Sequence, residues 1–421
     1  MLTRRTFLKS SALAAPLILT PSMLGAIRRA APNDRIGLAV IGCGKRAFEM
    51  LGSFMDAPEI QVVGVCDVDT TRREHARKLV NDKYGNQDCV STNFYYDLLI
   101  KKNVDAVAIC TPDHWHINQV VEAAVMGKDI YCEKPLTLNL RECQLMIEAV
   151  RKGGVVFQTG SQQRTEFHGK FRQACEYVRS GRIGQVLTVH IGVGTSSKPC
   201  DLPEETMEPG LDWDRWLGPA PKRPYNSILS PRGIHSHYPQ WRQYTEYSGG
   251  GMTDMGAHNF DIAQWGLDMD ESGPVEVLPP QDEKAEYGAT LVYANGVRVI
   301  HGGPDGITFT GTKGQIHVFR DRLASIPESI LKEPLKDGDT KLPESPSHIR
   351  NWLDCIKNTE NPICNVEVGC RSIACAHLCN LAYWHRRPLK WDPAKWEFPG
   401  DAEANKWLDY ERRKGYELPP A

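Results

Sequence analysis

Past its first two dozen residues, the 421-residue chain has no uninterrupted apolar run of the ~20 residues that a bilayer-spanning helix needs. The body of the sequence is therefore not expected to cross a membrane. It has no excess of one charge either, since 50 Lys and Arg stand against 52 Asp and Glu for a net charge of −2. Nucleic acids and acidic lipid surfaces are held by strong basic fields, so neither is an expected partner and a small molecule takes their place. No internal repeat or low-complexity tract stands out, so a repeat architecture is not indicated. The 13 cysteines are odd in number and follow no framework spacing. Several lie in apolar runs such as "VVGVCDVD" and "AVAICTP", where a buried thiol behaves as a small hydrophobe. If any pair is oxidised, Cys364 with Cys370 or Cys375 with Cys379 are the nearest in sequence. A zinc site is not expected. His114 and His116 in "HWH", and His235 and His237 in "HSH", alternate along what reads as extended chain, with no Cys or carboxylate at ligand spacing.

What is present begins with "TRRTFLKSSALAAPLIL". Arg4 and Arg5 precede Phe7, Leu8 and Lys9, and an apolar stretch follows from Ala12 to Leu19. This layout resembles a bacterial twin-arginine export signal, which assigns residues 1–32 to targeting and places the protein in the periplasm or outside the cell. No clean Ala-x-Ala marks a cleavage point, so removal of the segment and its retention as an anchor both stay open.

With 41% hydrophobic residues the rest can bury a sizeable core. From residue 33 to 160, continuous apolar runs of strand length ("RIGLAVIG", "IQVVGVCD", "VDAVAICT", "DIYCEK") alternate with helical stretches, two of which have a glycine near the stop. Uninterrupted apolar strands belong to a parallel sheet covered on both faces, so this half reads as a doubly wound α/β domain. From 161 to 399 the pattern changes to a helix, a strand and a long Pro-, Gly- and Trp-rich stretch between Lys198 and Tyr247. A helix over "MTDMGAHNFDIAQWGL" and hairpin signals at Ala294-Asn295-Gly296 and around Gly314 follow. That predicts a second α/β domain with a mainly antiparallel sheet. A loop as long as 198–247 is usually functional. A polar tail is expected over 400–421.

Three clusters carry chemistry. Gly42, Gly44 and Ala47 in "VIGCGKRA" form a Gly-x-Gly-x-x-Ala turn between a strand and a helix, with Cys43, Lys45 and Arg46 between them. Gly42 permits the turn, Gly44 lets backbone reach a pyrophosphate, and Ala47 allows close helix–strand packing. Asp67 closes the next strand, where its carboxylate would accept the adenosine ribose hydroxyls and repel a 2′-phosphate, favouring NAD. The neighbouring Arg72 and Arg73 keep NADP open. Glu133, Lys134 and Pro135 in "CEKPLTL" end another parallel strand, so Lys134 would project into the crevice at the carboxyl ends of the strands. Asp254, His258 and Asp261 in "GGGMTDMGAHNFD" are spaced to share one helix face, and a carboxylate beside an imidazole suits proton transfer.

In the order "VIGCGKRA", "TPDHWH", "CEKP", "DMGAHNFD", the sequence resembles the glucose-fructose oxidoreductase, inositol dehydrogenase and MocA family from about Arg35 to about Pro399. The resemblance implies a Rossmann domain followed by a substrate domain whose open sheet often pairs copies into homo-oligomers. It implies NAD, with NADP as the alternative, and a carbohydrate or polyol substrate. Lys134, Asp254 and His258 would be its catalytic group, with His258 the general base, Lys134 stabilising the alkoxide and Asp254 orienting the hydroxyl and Lys134. Thr111, Pro112, His116 and Glu133 would line the cofactor, joined by Arg164 and Arg242. Trp241, Gln163 and Asp261 would belong to the substrate pocket. The twin-arginine route carries folded proteins, so an exported member is expected to hold its nucleotide tightly. A related outcome on the same fold is NAD-dependent glycoside hydrolysis, although its known enzymes lack this Glu-Lys-Pro lysine. A sugar-binding protein without activity is the third possibility.

Overall fold

The computed structural model describes residues 35–418, so the signal-like segment lies outside the described residues. Six strands, β1 (Ile36–Ile41), β2 (Ile60–Cys66), β3 (Val90–Thr92), β4 (Ala106–Ile109), β5 (Asp129–Cys132) and β6 (Phe157–Thr159), make a parallel sheet in the order β3-β2-β1-β4-β5-β6. This is the doubly wound order, and its direction reverses between β1 and β4, which opens a crevice above their carboxyl ends. The apolar runs form strands because both faces are covered, and Ala106 to Ile109 are all buried.

The helices start and stop where side chains allow. In α1 (Lys45–Asp56), Ala47, Met50, Leu51 and Phe54 are buried against the sheet. In α2 (Thr70–Tyr84), the Asp69 side chain accepts from the Thr71 and Arg72 amides at the start, and left-handed Gly85 ends it. The helix α3 (Asp113–Val125) begins directly after Pro112. His114 and His116 are thus helical rather than on an extended chain, a correction that follows from proline's preference for the entry to a helix. Asn139 caps α4 (Leu140–Gly153), and left-handed Gly154 closes it.

The second half holds β7 (Val186–Gly192), β8 (Glu276–Leu278), β9 (Thr290–Val292), β10 (Arg298–His301), β11 (Gly306–Gly311), β12 (Gly314–Val318), β13 (Leu323–Ile326) and β14 (Leu389–Lys390). They form one sheet, β13-β12-β11-β7-β10-β9-β8-β14, antiparallel except where β7 meets β10. The β9–β10 hairpin turns where expected, with Gly296 at φ +86°. In β11–β12 the tip is Thr312-Lys313 and Gly314 opens the return strand. Helices α5 (Lys170–Arg179), α6 (Gly251–Asp254), α7 (Gly256–Gly266), α8 (His348–Asn358) and α9 (Val366–His385) complete the fold, α7 packing on α9 and on α5. Among the described residues no helix is long and apolar enough to cross a membrane.

Two segments return from the second half to the first. Trp352 of α8 is fully buried against Tyr131 and Phe54, with ring centroids 5.7 and 6.3 Å away. Where a polar tail is expected over 400–421, residues 401–407 pack on the end of α9 and residues 409–418 lie back along the Rossmann domain. Arg412 pairs with buried Glu142 at 2.8 Å and Tyr416 sets its ring edge-on to Trp115 at 5.5 Å. Polar composition concealed this docking because its anchors are a buried ion pair and a ring contact. All 13 cysteines are free, and Cys375 and Cys379 stand one turn apart on α9.

Candidate active site

The crevice is built by the first βα turn. Gly42 has φ +86°, and a Cβ there would lie 2.8 Å from the Cys110 carbonyl carbon and the Thr111 nitrogen, so only glycine fits. Gly44 is different, because nothing lies within 4 Å of where its Cβ would be. Backbone therefore faces open space at the uncapped start of α1, a helix with no acidic residue in its first turn. That is what a pyrophosphate requires. Asp67 sits beside it, its carboxylate accepting the amides of Cys43 and Asp69 at 2.7 Å each. Burial pushes its carboxyl upward against the pull of Arg72 and these amides.

The two arginines that left NADP open are both engaged. Arg72 donates to the carbonyls of Pro231 and Gly233, and Arg73 Nη1 donates to the Asp67 carbonyl at 2.9 Å. Arg72 is committed to the strap through Nε and Nη2 and Arg73 does not line the crevice, so the residues present fit NAD. The Arg72 contacts also show what the long loop does: it crosses the crevice as a strap. Arg232 pairs with Asp69, Tyr238 donates to Glu49 of α1 at 2.8 Å, and the Lys45 ammonium lies 4.2 Å above the Tyr238 ring.

A second cavity opens beside the first, and the two share Arg46, Cys110, Thr111, Tyr238, Trp241 and Arg242 as common wall. Lys134, Asp254 and His258 line it. Lys134 donates to the Asp254 carboxylate at 2.7 Å and to its carbonyl at 2.9 Å, and Arg242 lies 3.6 Å from the same carboxylate. Burial alone would raise Asp254, but Lys134 and Arg242 bring its carboxyl down to about 2. His258 is held well below the usual imidazole range by burial first, then by Lys134 and Arg320. It is neutral at physiological pH, and its buried Nδ1 has no hydrogen-bond partner among the described residues. An orphaned buried nitrogen costs about 1–3 kcal/mol, which a bound hydroxyl in reach of the ring would relieve.

Of the other expected site residues, some face the cavities and some lie behind them. Arg46 lines both cavities and pairs with Glu133 at 2.9 Å, while Pro112 and Thr111 face the crevice. His116 touches neither cavity. Its ring nitrogens meet the carbonyls of Pro135 (2.7 Å) and Thr111 (2.9 Å), tying together the two loops that do. Arg164 holds no nucleotide, because its guanidinium is taken by Asp261 at 2.8 Å and Asp270 at 2.7 Å. Asp261 does not reach substrate, being fully buried between Arg164 and the Ser372 hydroxyl. A buried charge persists only when paired, and that requirement claims both residues for the fold. Gln163 is likewise fully buried, contacting Asn259 at 3.5 Å. His235 and His237 lie with ring centroids 4.6 Å apart and tilted by 35°, one ring bonded to backbone, and among the described residues no group of three or more His, Cys, Asp or Glu could hold a metal ion.

Sequence reasoning missed Tyr238, Tyr416 and Arg320, which reach the cavities only through long-range folding. It also missed Asp113, though the residue stands inside "TPDHWH". Asp113 accepts a 2.6 Å bond from the Ser248 hydroxyl and lines the catalytic cavity. Burial, joined by Asp254 and opposed by Ser248 and Arg242, pushes its carboxyl up from 3.8 to about 7. Between roughly pH 4 and 7 the folded chain thus keeps a proton the unfolded chain releases, so this group makes stability fall as pH rises through that window. An Asp113→Asn variant is expected to melt above the parent protein beyond pH ~7, by up to about 4 kcal/mol, and to match it below pH ~4. Thermal melts across that range check it, and parallel curves would refute it.

Fold and site together define a dinucleotide-dependent oxidoreductase. Residues 36–161 match the model described as "Oxidoreductase family, NAD-binding Rossmann fold", and 172–418 the one described as "Oxidoreductase family, C-terminal alpha/beta domain". The chain belongs to the Gfo/Idh/MocA oxidoreductase family. Myo-inositol 2-dehydrogenase of Thermotoga maritima is 26% identical over 323 residues, 70% of this chain and 82% of that protein. The scyllo-inositol 2-dehydrogenase (NAD(+)) of Bacillus subtilis is 24% identical over 371 residues, 80% of this chain and 93% of its own. The WlbA dehydrogenase from Bordetella pertussis, solved with NADH and UDP-GlcNAcA, shares the fold with a TM-score of 0.59 at 18% identity, covering 86% of this chain and 99% of that one.

Proposed function

We propose that this protein is an exported oxidoreductase that transfers hydride between a secondary hydroxyl of a sugar, glycoside or polyol and an NAD it does not release. The observation that carries the proposal is the shared wall. The crevice shaped for a dinucleotide shares Arg46, Thr111 and Trp241 with the cavity where Lys134, Asp254 and His258 converge. The inositol dehydrogenases among its relatives support a polyol or sugar as substrate.

NAD, when bound, supplies the hydride acceptor. Neutral His258 would take the hydroxyl proton, and the Lys134 ammonium would stabilise the negative charge developing on the oxygen. Asp254 is the positioning residue: it holds Lys134 by two bonds and, with Arg242, keeps the local charge fixed. The strap argues for retention of the cofactor, since its bonds to α1, to Arg72 of α2 and to Asp69 just before that helix must open before a nucleotide could leave. Retention suits export, because no nucleotide pool is expected outside the cell. Reduced cofactor would then be reoxidised in place by a second carbohydrate or by return to the same molecule. We further propose pairing of copies through the eight-stranded sheet, where Leu187 and Ile326 are exposed.

The test is a panel of sugars and polyols added to protein purified from the periplasmic fraction. At least one is expected to raise the reduced-nicotinamide absorbance without added NAD. Release of nitrophenol from a nitrophenyl glycoside would instead assign elimination chemistry, and absence from that fraction would remove the export claim.

A further inference from the structure

Arg320, which follows β12 on the sheet, is the one arginine in the catalytic cavity wall without a carboxylate among the described residues. Arg46 has Glu133 at 2.9 Å, Arg164 has Asp261 and Asp270, Arg172 has Glu176 at 2.9 Å, and Arg242 approaches Asp254 to 3.6 Å. Arg320 makes no ion pair or hydrogen bond there. Its guanidinium lies 5.2 Å from the Phe167 ring centroid, and its Nε is buried with no acceptor. Half-burial and the charge of Arg46 both disfavour its protonated form, opposed by Tyr238 and Asp254. Lys170, at the start of α5, lines the same cavity and also has no carboxylate partner among the described residues.

The wall's carboxylates do not answer these cations. Glu133 and Asp254 are paired, Glu344 holds Arg172, Glu166 accepts the His348 amide, Glu49 accepts Tyr238 and Asp113 accepts Ser248. Asp321 is left over, and it is exposed to solvent. A cavity that pairs its other arginines and leaves one guanidinium half-desolvated has a place for a negative charge brought from outside.

We propose that Arg320, with Lys170, forms a subsite for an anionic substituent of the substrate, a carboxylate or a phosphate ester, so that acidic sugars are preferred over neutral ones. This rests on the oxidoreductase function proposed above. The guanidinium fork takes two oxygens of such a group, and anchoring one end of the sugar selects which hydroxyl reaches His258.

The experiment is calorimetric titration of the nucleotide-loaded protein with D-glucuronate, D-glucose 6-phosphate and D-glucose, repeated on Arg320→Gln and Arg320→Lys variants whose folding is checked by thermal melts. One of the acids is expected to bind at least about tenfold more tightly than glucose. That margin should collapse in R320Q and largely persist in R320K. The winning acid tells carboxylate from phosphate. Equal affinities for all three, or an acid preference that survives R320Q, would overturn the proposal. If the preference holds but no sugar ever reduces the bound cofactor, the oxidoreductase function fails and the subsite stands. If neutral sugars reduce it with no preference for acids, the reverse follows.

Discussion

A Lys134→Met variant is expected to keep its nucleotide and its fold and to lose about 100- to 1,000-fold in kcat, the scale on which a preorganised charge stabilises a developing oxyanion. The side chain lies at the end of β5, its ammonium fixed by two bonds to Asp254, so removing it leaves the crevice untouched. A second effect follows from the charges. Lys134 is the strongest charge holding His258 neutral, whereas Asp254 opposes it. Without Lys134 the imidazole protonates at higher pH, so the acidic limb of the pH–rate profile, where the base is lost, moves upward. His258→Ala should cost about 100- to 10,000-fold and abolish that limb. Steady-state rates across pH check both, and full turnover in either variant would refute the assigned roles.

The other large effect concerns two glycines of one turn. Gly44 has φ −84°, a value open to any residue, and empty space ahead of it. Gly44→Val is therefore expected to fold with a nearly unchanged melting temperature while losing its nucleotide. Its side chain occupies the approach to the pyrophosphate. Loss of about two charge-assisted bonds corresponds to roughly 100- to 10,000-fold weaker binding. Gly42→Ala should do the opposite damage. Its Cβ would strike the Cys110–Thr111 backbone at 2.8 Å with φ +86°, and the cost falls on folding at about 1–3 kcal/mol. Nucleotide content after denaturation, set beside melting curves, separates the two. Equal behaviour of the pair would contradict the assignment of Gly44 to the phosphates.

The parallel sheet, the glycine turn and Asp67 were legible in the sequence because each has a local signature: apolar runs, fixed glycine spacing, an acid at a strand end. Lys134 was legible from a strand terminus and Asp254 and His258 from their spacing, although the expected single helix breaks at Met255, so that Asp254 ends α6 and His258 lies on α7. Asp261 shows where spacing stops informing. It belongs to the same helical run, yet α9 and Arg164 cover it, and no local pattern announces a buried ion pair. His116 was misplaced because a proline that opens a helix can also sit in extended chain. The docking of residues 400–418 and the approach of Arg320 depend on contacts between segments far apart in sequence, where periodicity is silent.

The account rests on NAD lying in the N-terminal crevice within reach of Lys134 and His258. The most direct measurement is the nucleotide released by denaturing the purified protein, identified by mass spectrometry before and after exposure to a sugar that raises its absorbance. NAD in a one-to-one ratio to chain, converted to NADH by that sugar in the parent protein and not in the Lys134→Met variant, is the predicted result. Protein that carries no nucleotide and binds none, or a variant that reduces NAD as fast as the parent, would contradict it.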